Sequence, residues 1–192
     1  MKSVIIDPQR CIGCKHCVIA CGVAHSNNKD IHQILYEDIP PVPRIFVDVV
    51  SDGTTFPNKC RHCDPSYCMQ ACPTGAIQKD EITSSITIDP NKCIRCFMCA
   101  MVCPFGVIRF FKDNKAPFKD LVAVKCDNCI DRLKEDKIPA CAEACKTGAL
   151  KFGEVNDILR EKHLVVIEQK GIPENIKIWR TFKEKIKEVN AN

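Results

Sequence analysis

The sequence predicts an α+β fold of short strands and short helical turns, and three observations lead there. Sixteen cysteines fall into four blocks of four; β-branched and apolar residues gather only in short runs between those blocks; and a cysteine-free C-terminal stretch switches to a helical period. With 192 residues and only 6% aromatic content, ordinary apolar packing does not account for the fold unaided.

The blocks are Cys11, Cys14, Cys17, Cys21; Cys60, Cys63, Cys68, Cys72; Cys93, Cys96, Cys99, Cys103; and Cys126, Cys129, Cys141, Cys145, with none left over. Blocks one and three share the spacing C-x2-C-x2-C-x3-C and the same approach, Ile6-Asp7-Pro8-Gln9-Arg10 matching Ile88-Asp89-Pro90-Asn91-Lys92. Blocks two, three and four end in kindred tails, Pro73-Thr74-Gly75, Pro104-Phe105-Gly106 and Lys146-Thr147-Gly148. A ferredoxin half-unit is thus used four times. Three cysteines two residues apart line a tight loop whose thiolates hold three corners of one 4Fe-4S cubane, with loop amides near the sulfurs. The fourth cysteine, three residues on, points to a second cubane. Blocks two and four depart from the regular spacing, so their loops are expected to be enlarged and to face partners.

Taken in order, strands are expected over residues 4–6, 44–50, 85–88, 107–111, 122–124 and 149–152, from alternation and β-branched content. A strand is expected after each tail, where Gly75, Gly106 and Gly148 permit the turn. Residues 17–25 read as one longer helix. The run Asp38-Ile39-Pro40-Pro41-Val42-Pro43 is an extended spacer. In residues 174–189, Trp179, Phe182, Ile186 and Val189 recur every three or four positions among lysines and glutamates, marking an amphipathic helix that packs on its own domain or docks on a partner or a neighbouring copy.

Other uses of so many cysteines fit less well. No secretory h-region precedes the first block, which argues against a disulfide scaffold and for a reducing cytoplasm. Zinc ribbons use paired ligands and do not call for four cysteines within eleven residues. No apolar stretch reaches the length of a membrane span, and no twin-arginine or lipidation signal stands out. The formal charge of +4 counts cysteines as neutral; as thiolates around four oxidised clusters they bring the loaded chain to about −4. The basic residues therefore read as counter-charge rather than as a nucleic-acid surface. Phosphate loops, nucleophile elbows and dinucleotide fingerprints are lacking, so no catalysis by the chain itself is expected. His16, His25, His32, His62 and His163 read as surface or hydrogen-bonding groups.

The chain resembles the four-cluster iron-sulfur subunits of the DMSO reductase type, over about residues 2–153. The likeness rests on Cys11-Ile12-Gly13-Cys14-Lys15-His16-Cys17, Cys60-Arg61-His62-Cys63-Asp64 and Cys99-Ala100-Met101-Val102-Cys103-Pro104-Phe105-Gly106. Within that family, Val23-Ala24-His25-Ser26 and Phe97-Met98-Cys99 look most like the electron-transfer subunit of carbon monoxide dehydrogenase. The resemblance implies tandem ferredoxin-like lobes related by a pseudo-twofold and an electron relay through four 4Fe-4S clusters. It implies a domain over residues 1–153, with lobe one from 1–27 and 120–153, lobe two from 44–119, and an extension over 154–192.

The family's pairing implies ligand sets Cys11, Cys14, Cys17, Cys145; Cys21, Cys126, Cys129, Cys141; Cys60, Cys63, Cys68, Cys103; and Cys72, Cys93, Cys96, Cys99. Implied partners are a catalytic subunit (carbon monoxide dehydrogenase, formate dehydrogenase or hydrogenase) and a hydrogenase, flavoprotein or ferredoxin as acceptor. Arg61, His62, Lys134 and Lys137 are candidate docking charges, and the C-terminal helix is a candidate for self-association. Three positions depart from the pattern: Gly22 and Lys146 stand where proline would follow, and Arg95 stands where block one has Gly13. Lys146 is expected to raise the potential of a nearby cluster.

Overall fold

A computed structural model of the chain describes residues 2–51, 53–112 and 121–170. Its strands are β1 (Lys2–Ile6), β2 (Ile45–Val49), β3 (Thr55–Lys59), β4 (Ile77–Lys79), β5 (Ile86–Ile88), β6 (Arg109–Lys112), β7 (Leu121–Val124) and β8 (Leu150–Glu154). Its helices are α1 (His16–Ala24), α2 (Tyr67–Gln70), α3 (Met98–Met101), α4 (Ile130–Lys134), α5 (Ala140–Glu143) and α6 (Val155–Lys170). The architecture is α+β with short elements. Among the described residues the strands pair two by two: β1 with β8, and β2–β3, β4–β5 and β6–β7, the last three antiparallel.

All six expected strand runs coincide with strands, and β4 follows the tail of block two. β3 was not foreseen, because Pro57 and Asn58 interrupt the pattern of a strand. Proline is tolerated there because β2–β3 is a lone hairpin: Pro57 opposes Val47 on a strand with one free edge, where its missing N–H need break no ladder bond. The eleven residues between Cys129 and Cys141 fold into α4 and lead into α5, and Arg132 closes this loop on the Ile138 carbonyl at 2.9 Å and on Glu143 at 2.6 Å.

Cysteines are part of the core itself. One cluster joins Val4, Ile45 and Leu150 to Cys17, Cys21 and Cys141. A second joins Ile77, Ile86, Ile108 and Ala123 to Cys99. A third places Cys60 and Cys126 together around Val107. Strand β2, which the sequence groups with residues 44–119, packs Ile45 against the first cluster, and β7 packs Ala123 into the second. The first and second clusters thus each take a strand from the neighbouring sequence segment.

The chain divides into two units at Gly153 and Glu154. In the second, α6 is sixteen residues long; it was not foreseen, since the helical period in this extension was read only over residues 174–189. The amphipathic helix expected over residues 174–189 lies outside the described residues. Among the described residues, no helix is long and apolar enough to cross a membrane.

Candidate metal centres

The four blocks repeat in backbone conformation as well as in sequence. The residue before the second cysteine of each block is left-handed: Gly13 at φ 69°, His62 at 52°, Arg95 at 61° and Asn128 at 62°. Blocks one and three then place a second left-handed residue, Lys15 or Phe97, at the N-terminus of α1 or α3. Left-handed side-chain residues carry strain, held here by the tight loops that carry the cysteines. Gly13 has a further reason: a Cβ there would meet Thr55 Cγ2 at 2.9 Å, where Thr55 also donates to the Cys11 carbonyl at 3.0 Å. Arg95, in the same conformation, is exposed.

The thiols gather across blocks. Cys17 lies among Cys145, Cys11 and Cys14, whose charges act on it. Cys21, Cys126, Cys129 and Cys141 are all buried and act on one another. Cys60, Cys63, Cys68 and Cys103 line one cavity, and Cys72, Cys93, Cys96 and Cys99 line another. All sixteen are free of disulfides. A separate groove runs along α1 and α5, lined by Ile19, Val23, Ala140 and Ala144 together with Lys29 and Lys137.

Hydrogen bonds reach the sulfurs from the backbone, as tight loops allow. His62 N–H donates to Cys60 Sγ and Asn128 N–H to Cys126 Sγ, both at 3.4 Å; Arg44 N–H donates to Cys21 Sγ at 3.2 Å and Leu150 N–H to Cys145 Sγ at 3.3 Å. Burial pushes Cys17, Cys99 and Cys129 up to about 11 and Cys21 up to about 12, and adjoining thiols reinforce the rise. Cys72 and Cys145 go the other way: burial would raise them, but hydroxyl and amide bonds around Thr74 and Thr147 lower them below the ordinary thiol value. Lys146 is exposed, so solvent screens its charge.

Asp127, inside block four, joins three segments. It accepts from His25 Nε2 at 3.0 Å, from Arg44 Nη1 at 2.5 Å and from the Cys129 N–H at 3.0 Å. Burial alone would raise its carboxyl, yet His25 and Arg44 hold it well below the usual carboxylate range. The sequence reading missed Arg44, Asp127, Thr74, Thr147, Lys59 and Lys125. Thr74 and Thr147 had a signal in their matching tails; Arg44 and Asp127 are 83 residues apart and had none.

Residues 51–155 match the family described as a 4Fe-4S dicluster domain. The chain belongs to that family. It is 38% identical over 163 residues to an iron-sulfur protein of Rhodospirillum rubrum, covering 81% of this chain and 84% of that one. It is 34% identical over 174 residues to the B subunit of the anaerobic dimethyl sulfoxide reductase of Escherichia coli K12, covering 82% and 75%. It is 33% identical over 152 residues to the thiosulfate reductase electron transfer subunit PhsB of Salmonella typhi, covering 79% and 74%. The donor set suits this family's cofactor: soft thiols converge from loops that already aim backbone N–H groups at sulfur, and positive metal charge would offset the burial, and secondarily the mutual repulsion, that keeps these thiols protonated.

Proposed function

We propose that the chain is a non-catalytic electron-transfer subunit that relays single electrons through four 4Fe-4S clusters. The proposed ligand sets are Cys11, Cys14, Cys17, Cys145; Cys21, Cys126, Cys129, Cys141; Cys60, Cys63, Cys68, Cys103; and Cys72, Cys93, Cys96, Cys99. When bound, each cluster supplies a one-electron centre. The protein's own residues supply order, insulation and tuning.

The observation that carries a linear order is the packing of Cys60 against Cys126 around Val107. It joins the second set to the third. Helix α1 carries Cys17 and Cys21, which would join the first set to the second, while α2 carries Cys68 with Cys72 just beyond its end and α3 carries Cys99 with Cys103 just beyond its end, which would join the third set to the fourth. Cys14 and Cys96 are the exposed cysteines, one in each terminal set. Electrons would enter and leave at those ends.

The reductase subunits among the relatives support a role beside a catalytic subunit. Carbon monoxide dehydrogenase is the partner we favour, on the likeness of Val23-Ala24-His25-Ser26 and Phe97-Met98-Cys99, with formate dehydrogenase or hydrogenase as alternatives. A hydrogenase, flavoprotein or ferredoxin would take the electron. Anaerobically purified protein should hold about sixteen iron and sixteen sulfide per chain. The loaded protein is then mixed with each candidate enzyme, and bleaching of its visible absorbance is followed on adding carbon monoxide, formate or hydrogen. Tightly bound zinc with iron near zero overturns the relay. Reduction by formate with its dehydrogenase, and none by carbon monoxide with its own enzyme, removes only the favoured partner.

A further inference from the structure

A basic residue stands directly before the first cysteine of every block: Arg10, Lys59, Lys92 and Lys125. The four share a sequence position but not an environment. Arg10 and Lys92 are exposed, whereas Lys59 is 0% and Lys125 4% exposed. The buried pair introduces Cys60 and Cys126, the two thiols that pack together around Val107.

Each buried ammonium donates to the carbonyl of the cysteine after it, Lys59 Nζ to Cys60 O and Lys125 Nζ to Cys126 O, both at 3.0 Å; Lys125 also donates to the Ile86 carbonyl. Among the described residues neither lysine forms an ion pair with a carboxylate. Carbonyl bonds alone do not offset the cost of burying a full charge, so negative charge must stand nearby. The thiolates supply it, and they belong to the opposite block. Lys125, from block four, lines the cavity of Cys60, Cys63, Cys68 and Cys103. Lys59, from block two, is held against Cys60, which packs with Cys126 of block four around Val107, so its buried ammonium sits at the seam with the opposite block.

We propose that Lys59 and Lys125 are an exchanged pair of charge-tuning residues, each carried by one cysteine block and acting on the cluster held mainly by the other. The inference rests on the ligand sets proposed above. One-electron reduction adds one negative charge to a site, and a cation held close in a poorly solvated interior stabilises that reduced form. The two inner centres are thereby raised in potential, each by its neighbour's lysine. Other cations lie in the same region: Arg61 beside Cys60 and Cys63, stacked on Phe105 at 4.9 Å, and Arg44 beside Cys21 but paired with Asp127. Neither is fully buried and free of a carboxylate or aromatic partner, as both lysines are.

The test uses the loaded full-length chain carrying Lys59→Met or Lys125→Met. Redox titrations are followed by paramagnetic resonance, with the inner signals assigned through Cys141→Ser and Cys68→Ser. Iron and sulfide are counted first; a parent chain that lacks them fails the ligand sets, not the exchange. Lys59→Met should move the signal that Cys141→Ser perturbs to more negative potential, and Lys125→Met the signal that Cys68→Ser perturbs. Lys92→Met should leave both in place. Lys59→Gln and Lys125→Gln, which keep a carbonyl hydrogen bond and lose the charge, should reproduce the shifts even where a methionine variant loads poorly. Loaded variants whose potentials stay unchanged overturn the inference. So does a lysine that shifts only its own block's signal, or a uniform shift of all four.

Discussion

Arg44 Nη1 meets Asp127 Oδ2 at 2.5 Å, tying the residue before β2 to the loop of block four. Both side chains are mostly buried, and the same carboxylate accepts from His25 on the other side. Removing one partner of such a pair strands the other's charge. Asp127→Asn should therefore cost about 3 kcal/mol in denaturant unfolding of the loaded chain. His25→Ala, which leaves the Arg44 pair intact, should cost less. Because the folded carboxyl lies below its ordinary value of 3.8, this stabilisation is present above that pH and fades only as pH falls toward the folded value.

The Arg44–Asp127 network is also where sequence reading stopped. Block spacing, the repeated approach and the tails were legible because each is local, and the strands around them follow alternation. What joins Arg44 to Asp127, Thr55 to Gly13, or Lys125 to Cys60 is contact between segments tens of residues apart, on which local pattern is silent. β3 was hidden for a different reason, since Pro57 breaks the strand pattern yet sits in a two-stranded hairpin that tolerates it.

Cluster assembly should depend steeply on pH. The ligand is the thiolate, and burial holds Cys17, Cys99 and Cys129 at about 11 and Cys21 at about 12, so iron must displace protons from these groups. Reconstitution with iron and sulfide, read by visible absorbance, should quicken from about pH 7 to about pH 9. The metal-free form should do the opposite. Its unfolded thiols ionise near 9.0 while the folded ones stay neutral to about 11, so its stability is full below 9 and is lost as pH rises through 11.

The crossed ligand sets are open to a direct check at α1. Cys17 and Cys21 are one helical turn apart, yet Cys17 neighbours Cys145, Cys11 and Cys14 while Cys21 neighbours Cys126 and Cys129. Cys21→Ser should perturb the same paramagnetic signal as Cys126→Ser and spare the one changed by Cys11→Ser. If Cys21→Ser and Cys11→Ser alter one signal and Cys126→Ser another, the crossing is wrong.

The proposed terminal sets would have a tuning device of their own. Cys72 and Cys145 each lie 3.7 Å from the hydroxyl of a threonine two residues on, Thr74 and Thr147, in the matching tails of blocks two and four. Backbone N–H groups of those tails join them, and the two thiols fall below their ordinary values although burial opposes this. Hydrogen bonds to sulfur favour the more negative, reduced form and so raise the potential. Thr74 also donates to the Lys92 carbonyl at 2.8 Å, which fixes its rotamer, so its hydroxyl proton is shared and its contribution should be the smaller. Replacing either residue by valine keeps the shape and removes the hydroxyl. At this long distance the loss should be at most about 1 kcal/mol, or about 40 mV for one electron. Thr147→Val should lower only the signal assigned through Cys11→Ser, and Thr74→Val, by less, only the signal assigned through Cys93→Ser. A shift of the inner signals, or none in either variant, would show that the tails set chain direction alone.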